Sequence, residues 1–121
     1  MSRIALRFLL TGIGFLLFGM LWGIQMGMIG DHSQMPSHAH LNLVGGVLFL
    51  IFGLFYHCVP ESALGFYCRA HYWLSLIGVV VMVAGTAHTI AGGHHGVAIL
   101  GSFITLAAMV FFGVVVIRHR G

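Results

Sequence analysis

Charge is what this sequence has least of: 6% of its residues are Asp, Glu, Lys or Arg, against roughly 25% in soluble domains. Only two residues are acidic, Asp31 and Glu61. So little charge cannot clothe a soluble globular surface, and the apolar remainder excludes a disordered chain. The two carboxylates lie apart, both outside the long apolar stretches, and no hydrolase is expected. Cysteine is equally scarce: Cys58 and Cys68 are the whole supply, which leaves no room for a disulfide framework.

What is present is apolar. Hydrophobic residues make up 60% of the chain, and the mean hydropathy is +1.06. Residues 8–30, 32–60 and 70–117 carry no formal charge. A helix crosses the roughly 30 Å hydrocarbon layer in about 20 residues, so the first two stretches hold one span each and the third holds two. The third must turn within HTIAGGHHG (His88 to Gly96), where paired glycines and adjacent histidines suit an interfacial turn. These features predict an all-α, integral membrane four-helix bundle with helices over about 5–29, 37–58, 70–92 and 96–117. Residues 1–121 form a single membrane domain without a linker. The basic N-terminus resembles a signal peptide, but no small-x-small cleavage site follows near residue 25, so the first helix is expected to be retained.

Positive charges near span ends favour the cytoplasmic side. Arg3 and Arg7 precede the first helix, Arg69 lies between the second and third, and Arg118 and Arg120 follow the fourth. All five fall on one side if both the N- and C-termini are cytoplasmic. The expected location is a bacterial-type inner (plasma) membrane, crossed several times. A pI of 9.4 reflects this anchoring and implies no nucleic acid partner. On the cytoplasmic side both cysteines would remain reduced.

Helices in lipid associate through close backbone approach at small residues. Gly19, Gly23 and Gly27 repeat every four residues in the first helix, and Gly78, Gly85 and Gly92 every seven in the third, each set forming one stripe. Tight helix packing is the expected role of the first stripe. In the third helix His88 stands three residues after Gly85 and four before Gly92. Its ring would then project where neighbouring positions lack side chains, either as a hydrogen-bonding residue or beside a flat ligand.

Orientation sorts the nine histidines. His32, His38, His40, His88, His94 and His95 fall toward the outer face; His57, His71 and His119 fall toward the cytoplasm. His40 and His88 are each expected about one turn inside their helices. Two imidazoles at one depth on different helices satisfy bis-histidine iron ligation in a bundle. His38 and His40 point to opposite sides of a regular helix, because two residues turn it by about 200°. The pair therefore supplies one ligand and one unrelated polar group, or one ligand to each of two sites. His38 shares its face with Asn42 and Gly45, and His40 with Leu43, Val44 and Val47. Histidine satisfied by interfacial water is the plainer alternative for each, although ionisable residues inside a membrane usually mark function.

Two other metal chemistries stand beside iron. His57, Cys58, Cys68 and His71 are a potential tetrahedral zinc set, without the paired C-x2-C spacing. Met26, Met28 and Met35 among the outer histidines offer soft ligands for copper. Tyr56, Trp22 and Trp73 read as interfacial or packing aromatics.

The stretch HAHLNLVGGVLFLIFGLFYHCVPE (His38 to Glu61) resembles helices of the heme-copper oxidase superfamily catalytic subunit, as in cbb3-type oxidases and nitric-oxide reductases. His40, Asn42, Tyr56, Pro60 and Glu61 match an early family helix whose histidine is an axial ligand of the low-spin heme. The His38–x–His40 pair is similar to a late family helix whose two histidines bind hemes on opposite sides. The family has about twelve spans in three four-helix arcs and carries copper-binding motifs that this chain lacks in its helices; His94 and His95 are adjacent but lie in a loop. The resemblance thus implies a small single-arc relative, a homo-oligomer and specifically a homotrimer. It implies a b-type membrane cytochrome with heme b bound by His38 of one protomer and His40 of its neighbour, or, as the matched depths offer instead, by His40 and His88 of one protomer, serving electron transfer with a redox partner or binding a diatomic gas (O2 or NO). If the chain is an enzyme, a heme-dependent oxidoreductase is expected. A copper or zinc delivery protein using His38, His40, His88, His94 and His95, and a structural membrane subunit, are the alternatives.

Overall fold

The computed structural model describes residues 1–121 and contains helices and no strand. Helix α1 (Arg3–Ile29) starts at Ser2, whose hydroxyl accepts from the Ala5 amide at 3.2 Å. It stops at Gly30, which adopts left-handed backbone (φ 72°) and returns its N–H to the Met26 carbonyl. Helix α2 (Met35–Cys58) leads through a 3-10 turn (Pro60–Ala63) into α3 (Phe66–Ile90), and α4 (Gly96–Arg118) completes the chain. All four are long and apolar enough to cross a bilayer. The chain is a multi-pass, all-α membrane protein, as its charge-free stretches predict.

The ends of α3 differ from expectation. The helix begins just after Gly65 (φ 87°), so Arg69 stands within its first turns and not ahead of it. It ends at Ile90 because Gly92 (φ 98°) has left-handed backbone that cannot continue a helix. Gly92 therefore belongs to the turn and not to a stripe with Gly78 and Gly85.

Nor is α2 regular. Met35–His40 and Leu48–Cys58 are α-helical, whereas Leu41–Val47 forms a π-helical turn in which the Leu48 amide reaches back five residues to the Leu43 carbonyl. The glycine pair inside this turn explains where it falls. A methyl on Gly45 would lie 2.9 Å from the Phe15 ring of α1 and 3.1 Å from Val79 of α3, and one on Gly46 would collide with Leu16. Neighbours press on α2 from two sides, and the widened turn re-aims the His38 end relative to the Tyr56 end.

The helices alternate in direction. At one end Phe8 of α1 stacks on Tyr56 of α2 with ring centroids 5.5 Å apart, and Phe112 of α4 lies 4.6 Å from Phe52. The Arg118 guanidinium there stands 4.4 Å over the Tyr67 ring. All five arginines belong to this end. At the other end Gln34 Nε2 donates to the Ala87 carbonyl at 3.1 Å and Ser37 Oγ donates to Gln34 Oε1 at 2.8 Å, which ties the start of α2 to the close of α3. Leu17, Ile24 and Phe103 are among the many large apolar side chains left facing outward, as lipid contact requires.

The closest pair is α3 and α4. Gly85 faces the backbone of Ala98, Gly101 faces the backbone of Met82, and a methyl on Gly78 would sit 2.7 Å from Thr105 Oγ1. Gly101→Ala should therefore force the helices apart at a cost of about 1–3 kcal/mol. Gly113→Ala, which meets nothing within 4 Å, should be neutral or stabilising by up to about 1 kcal/mol. Equilibrium unfolding in mixed micelles, followed by circular dichroism, measures both.

Candidate functional site

Toward the arginine-free end, α1 meets α2 through polar side chains. The Asn42 amide donates to His38 Nε2 at 3.0 Å across one turn of α2, and the His38 ring stands edge-on to Trp22 with centroids 6.3 Å apart. The glycine stripe of α1 makes room for them: a methyl on Gly23 would lie 2.9 Å from His38 Nε2, and one on Gly19 would overlap Asn42 Oδ1. Gly27 faces open space. The stripe is thus a packing surface, but two of its glycines pack against polar groups. With Nε2 accepting, the His38 proton resides on Nδ1, which is buried and has no partner; Asn42 Oδ1 is in the same position. The centre toward the arginine-free end is under-satisfied.

His40 occupies the opposite side of α2, exposed, with Leu43 and Val47 beside it at 60% and 42% exposure. Both histidines lie in the α-helical turn that precedes the π segment, so the expected divergence between them holds. His40 is five residues into α2, roughly 8 Å along its axis. His88 is exposed too and lies two residues from the end of α3, nearer the membrane surface than one full turn. Its ring covers Gly93, whose amide donates to the His88 carbonyl at 2.9 Å. Gly85 is occupied with Ala98, and so the glycine beside His88 is not one of those expected. His94 Nδ1 accepts from the Gly96 amide at 3.0 Å and so caps α4, while the exposed His95 ring stands 6.4 Å away. Nearby, the Ser33 amide donates to Asp31 at 3.0 Å and holds that carboxyl below its ordinary range.

No three or more His, Cys, Asp or Glu side chains converge as a metal cage. The His57, Cys58, Cys68 and His71 quartet does not gather: His57 and Cys58 are exposed, whereas Cys68 and His71 are buried and otherwise engaged. Cys68 Sγ donates to the Gly65 carbonyl at 3.5 Å.

His71 instead makes the second centre, toward the arginine-bearing end. Its Nδ1 lies 2.9 Å from the Tyr56 hydroxyl, and both residues are fully buried. Phe52, Phe8 and Phe112 surround the imidazole with centroids 4.5, 5.0 and 5.1 Å away. Tyr56 is therefore a core polar partner and not an interfacial aromatic. Residue types alone did not reveal the pair; the matched depths of Tyr56 near the end of α2 and His71 near the start of α3 were the available signal. One turn beyond His71, Ser75 opens on a cavity of about 20 Å³ lined by Val44, Phe49, Phe52 and Thr105, enough for one water. Thr89, Ser102 and Thr105 each donate to the carbonyl four residues back, but Ser75 Oγ and His71 Nε2 have no protein partner.

A four-helix membrane bundle with one histidine centre toward each end, half-buried at His38 and fully buried at His71, is the class these features define. No family model, curated protein or solved structure matches the chain.

Tyr56→Phe keeps the ring but strands His71 Nδ1 among phenylalanines, at an expected cost of about 1–3 kcal/mol. The Tyr72 hydroxyl shares a 2.8 Å bond with Thr11 that is only part-buried. Tyr72→Phe should cost less, about 0.5–1.5 kcal/mol, in the same unfolding measurement.

Proposed function

We propose that this protein is a b-type membrane cytochrome whose heme is ligated by His40 near the arginine-free face. One observation carries it: His40 is an exposed imidazole on an apolar face of α2, inside the membrane span. An ionisable ring in that setting is costly, and ligation by porphyrin iron would offset the cost. Since two imidazoles suffice for heme, the lack of a three-residue cage does not count against this ligand. His38 is held by Asn42 against Gly23 and would have to leave both to reach iron. The exposed His88 is therefore the better second ligand, from the same chain or a neighbouring copy. The resemblance of α2 to heme-copper oxidase helices supports assembly as a homotrimer that rebuilds a twelve-helix ring. The arginine-bearing end, with both termini, would face the cytoplasm across a bacterial-type plasma membrane.

Held by His40 and His88, the heme group would supply single-electron transfer to a redox partner, and held by His40 alone it would supply binding of O2 or NO. His40 would hold the heme, and Leu43 and Val47 beside it would shield the site from water.

Absorption spectroscopy with metal analysis of the detergent-purified protein tests this. A Soret band lost in His40→Ala, with the fold retained, is the expected result. His88→Ala should convert a six-coordinate low-spin spectrum to a five-coordinate one that binds carbon monoxide. A six-coordinate spectrum surviving that change would shift the second ligand to His38 of a neighbour. Bound copper or zinc without a Soret band would make this a metal-delivery protein, and neither would leave a structural subunit.

A further inference from the structure

At the arginine-bearing end, three of the five basic residues surround one concavity of about 520 Å³ between the starts of α1 and α3. Arg3 and Arg7 line it from α1 and Arg69 from α3, and no carboxylate lines it. Arg3 and Arg7 are four residues apart on one helix face, a like-charge pairing that disfavours the helix by about 0.2–0.5 kcal/mol. Arg69 adds a third positive charge, its Nε tethered to the Gly65 carbonyl at 3.0 Å. By contrast Arg118 is engaged by the Tyr67 ring. Neither α1 nor α3 has an acidic residue in its first turn, so the positive ends of both helix dipoles add to the same field. Three arginines lining one concavity, with no carboxylate among its lining, call for an anion from outside, and planar guanidinium forks match phosphate oxygens. Apolar side chains share the lining: Ile4 and Ala63 are joined by Leu64, which is 76% exposed.

We propose that this concavity is a binding site for the phosphodiester headgroup of an anionic phospholipid, held by Arg3, Arg7 and Arg69. Acyl chains of that lipid run along α3. Trp73, exposed and one turn deeper than Arg69 on the same face, lies in their path. The site involves none of the residues assigned to heme and stands whether or not heme binds.

Trp73 fluorescence reports it in the full chain carrying Trp22→Phe, reconstituted in phosphatidylcholine vesicles with either brominated phosphatidylglycerol or brominated phosphatidylcholine. The anionic lipid should quench at a roughly hundred-fold lower mole fraction, the product of the three arginines. Combining Arg3→Gln, Arg7→Gln and Arg69→Gln should abolish the preference, at about five-fold per arginine. Arg118→Gln with Arg120→Gln, which also lowers the charge at that end, should leave it intact. Should the triple variant fail to insert, Arg7→Gln alone should lose about five-fold. Equal quenching by the two lipids overturns the proposal, and so does an equal loss in both sets of variants, which would mean general surface attraction. Relief of quenching by millimolar inorganic phosphate would assign the arginines to a soluble phosphate and overturn the lipid.

Discussion

Backbone against backbone at glycine is the contact on which this bundle depends. Lipid gives helices no hydrophobic reason to associate, so attraction comes from dispersion at short range and from hydrogen bonds. Gly85 on Ala98 and Gly101 on Met82 bring α3 and α4 together without intervening side chains. Gly12 and Gly53 bring α1 and α2 close in a mixed way: added methyls would meet the Phe49 and Leu9 side chains at 3.0 and 2.7 Å, and the Gly46 and Ala5 carbonyls at 3.1 Å. Large residues are left to face outward, which is why so many of them are exposed.

The same close approach places polar groups. With α1 drawn onto α2 at Gly19 and Gly23, His38 and Asn42 are enclosed and must satisfy one another; the pair manages one hydrogen bond and leaves two atoms without partners. At the other end aromatic rings enclose His71, and Tyr56 supplies its partner. The two ends therefore differ in packing. Interlocked rings hold the Tyr56 end, whereas the His38 end adjoins a widened π turn; each end keeps two buried polar atoms without a protein partner. Buried polar groups of this kind raise the cost of any alternative packing.

Much of the candidate site was legible because helical periodicity is rigid over short distances. His38 and Asn42 one turn apart had to share a face, His40 had to oppose them, and the Gly19–Gly23 stripe had to be an interface. What escaped was whatever depends on a partner helix. That Gly45 and Gly46 would yield a π turn follows from Phe15, Leu16 and Val79 pressing on them. That Gly92 leaves the helix follows from its positive φ. The Tyr56–His71 bond forms across the α2–α3 hairpin, between residues whose types suit many other roles.

By itself the sequence determined the number of spans, their alternation and the gathering of arginines at one end, because burial of charge in hydrocarbon is costly enough to override local preference. Tertiary structure alone decided which histidine is enclosed and which remains open. Helical azimuth says only that His38 and His40 diverge; the choice between them was made when the glycines of α1 allowed that helix to close over His38.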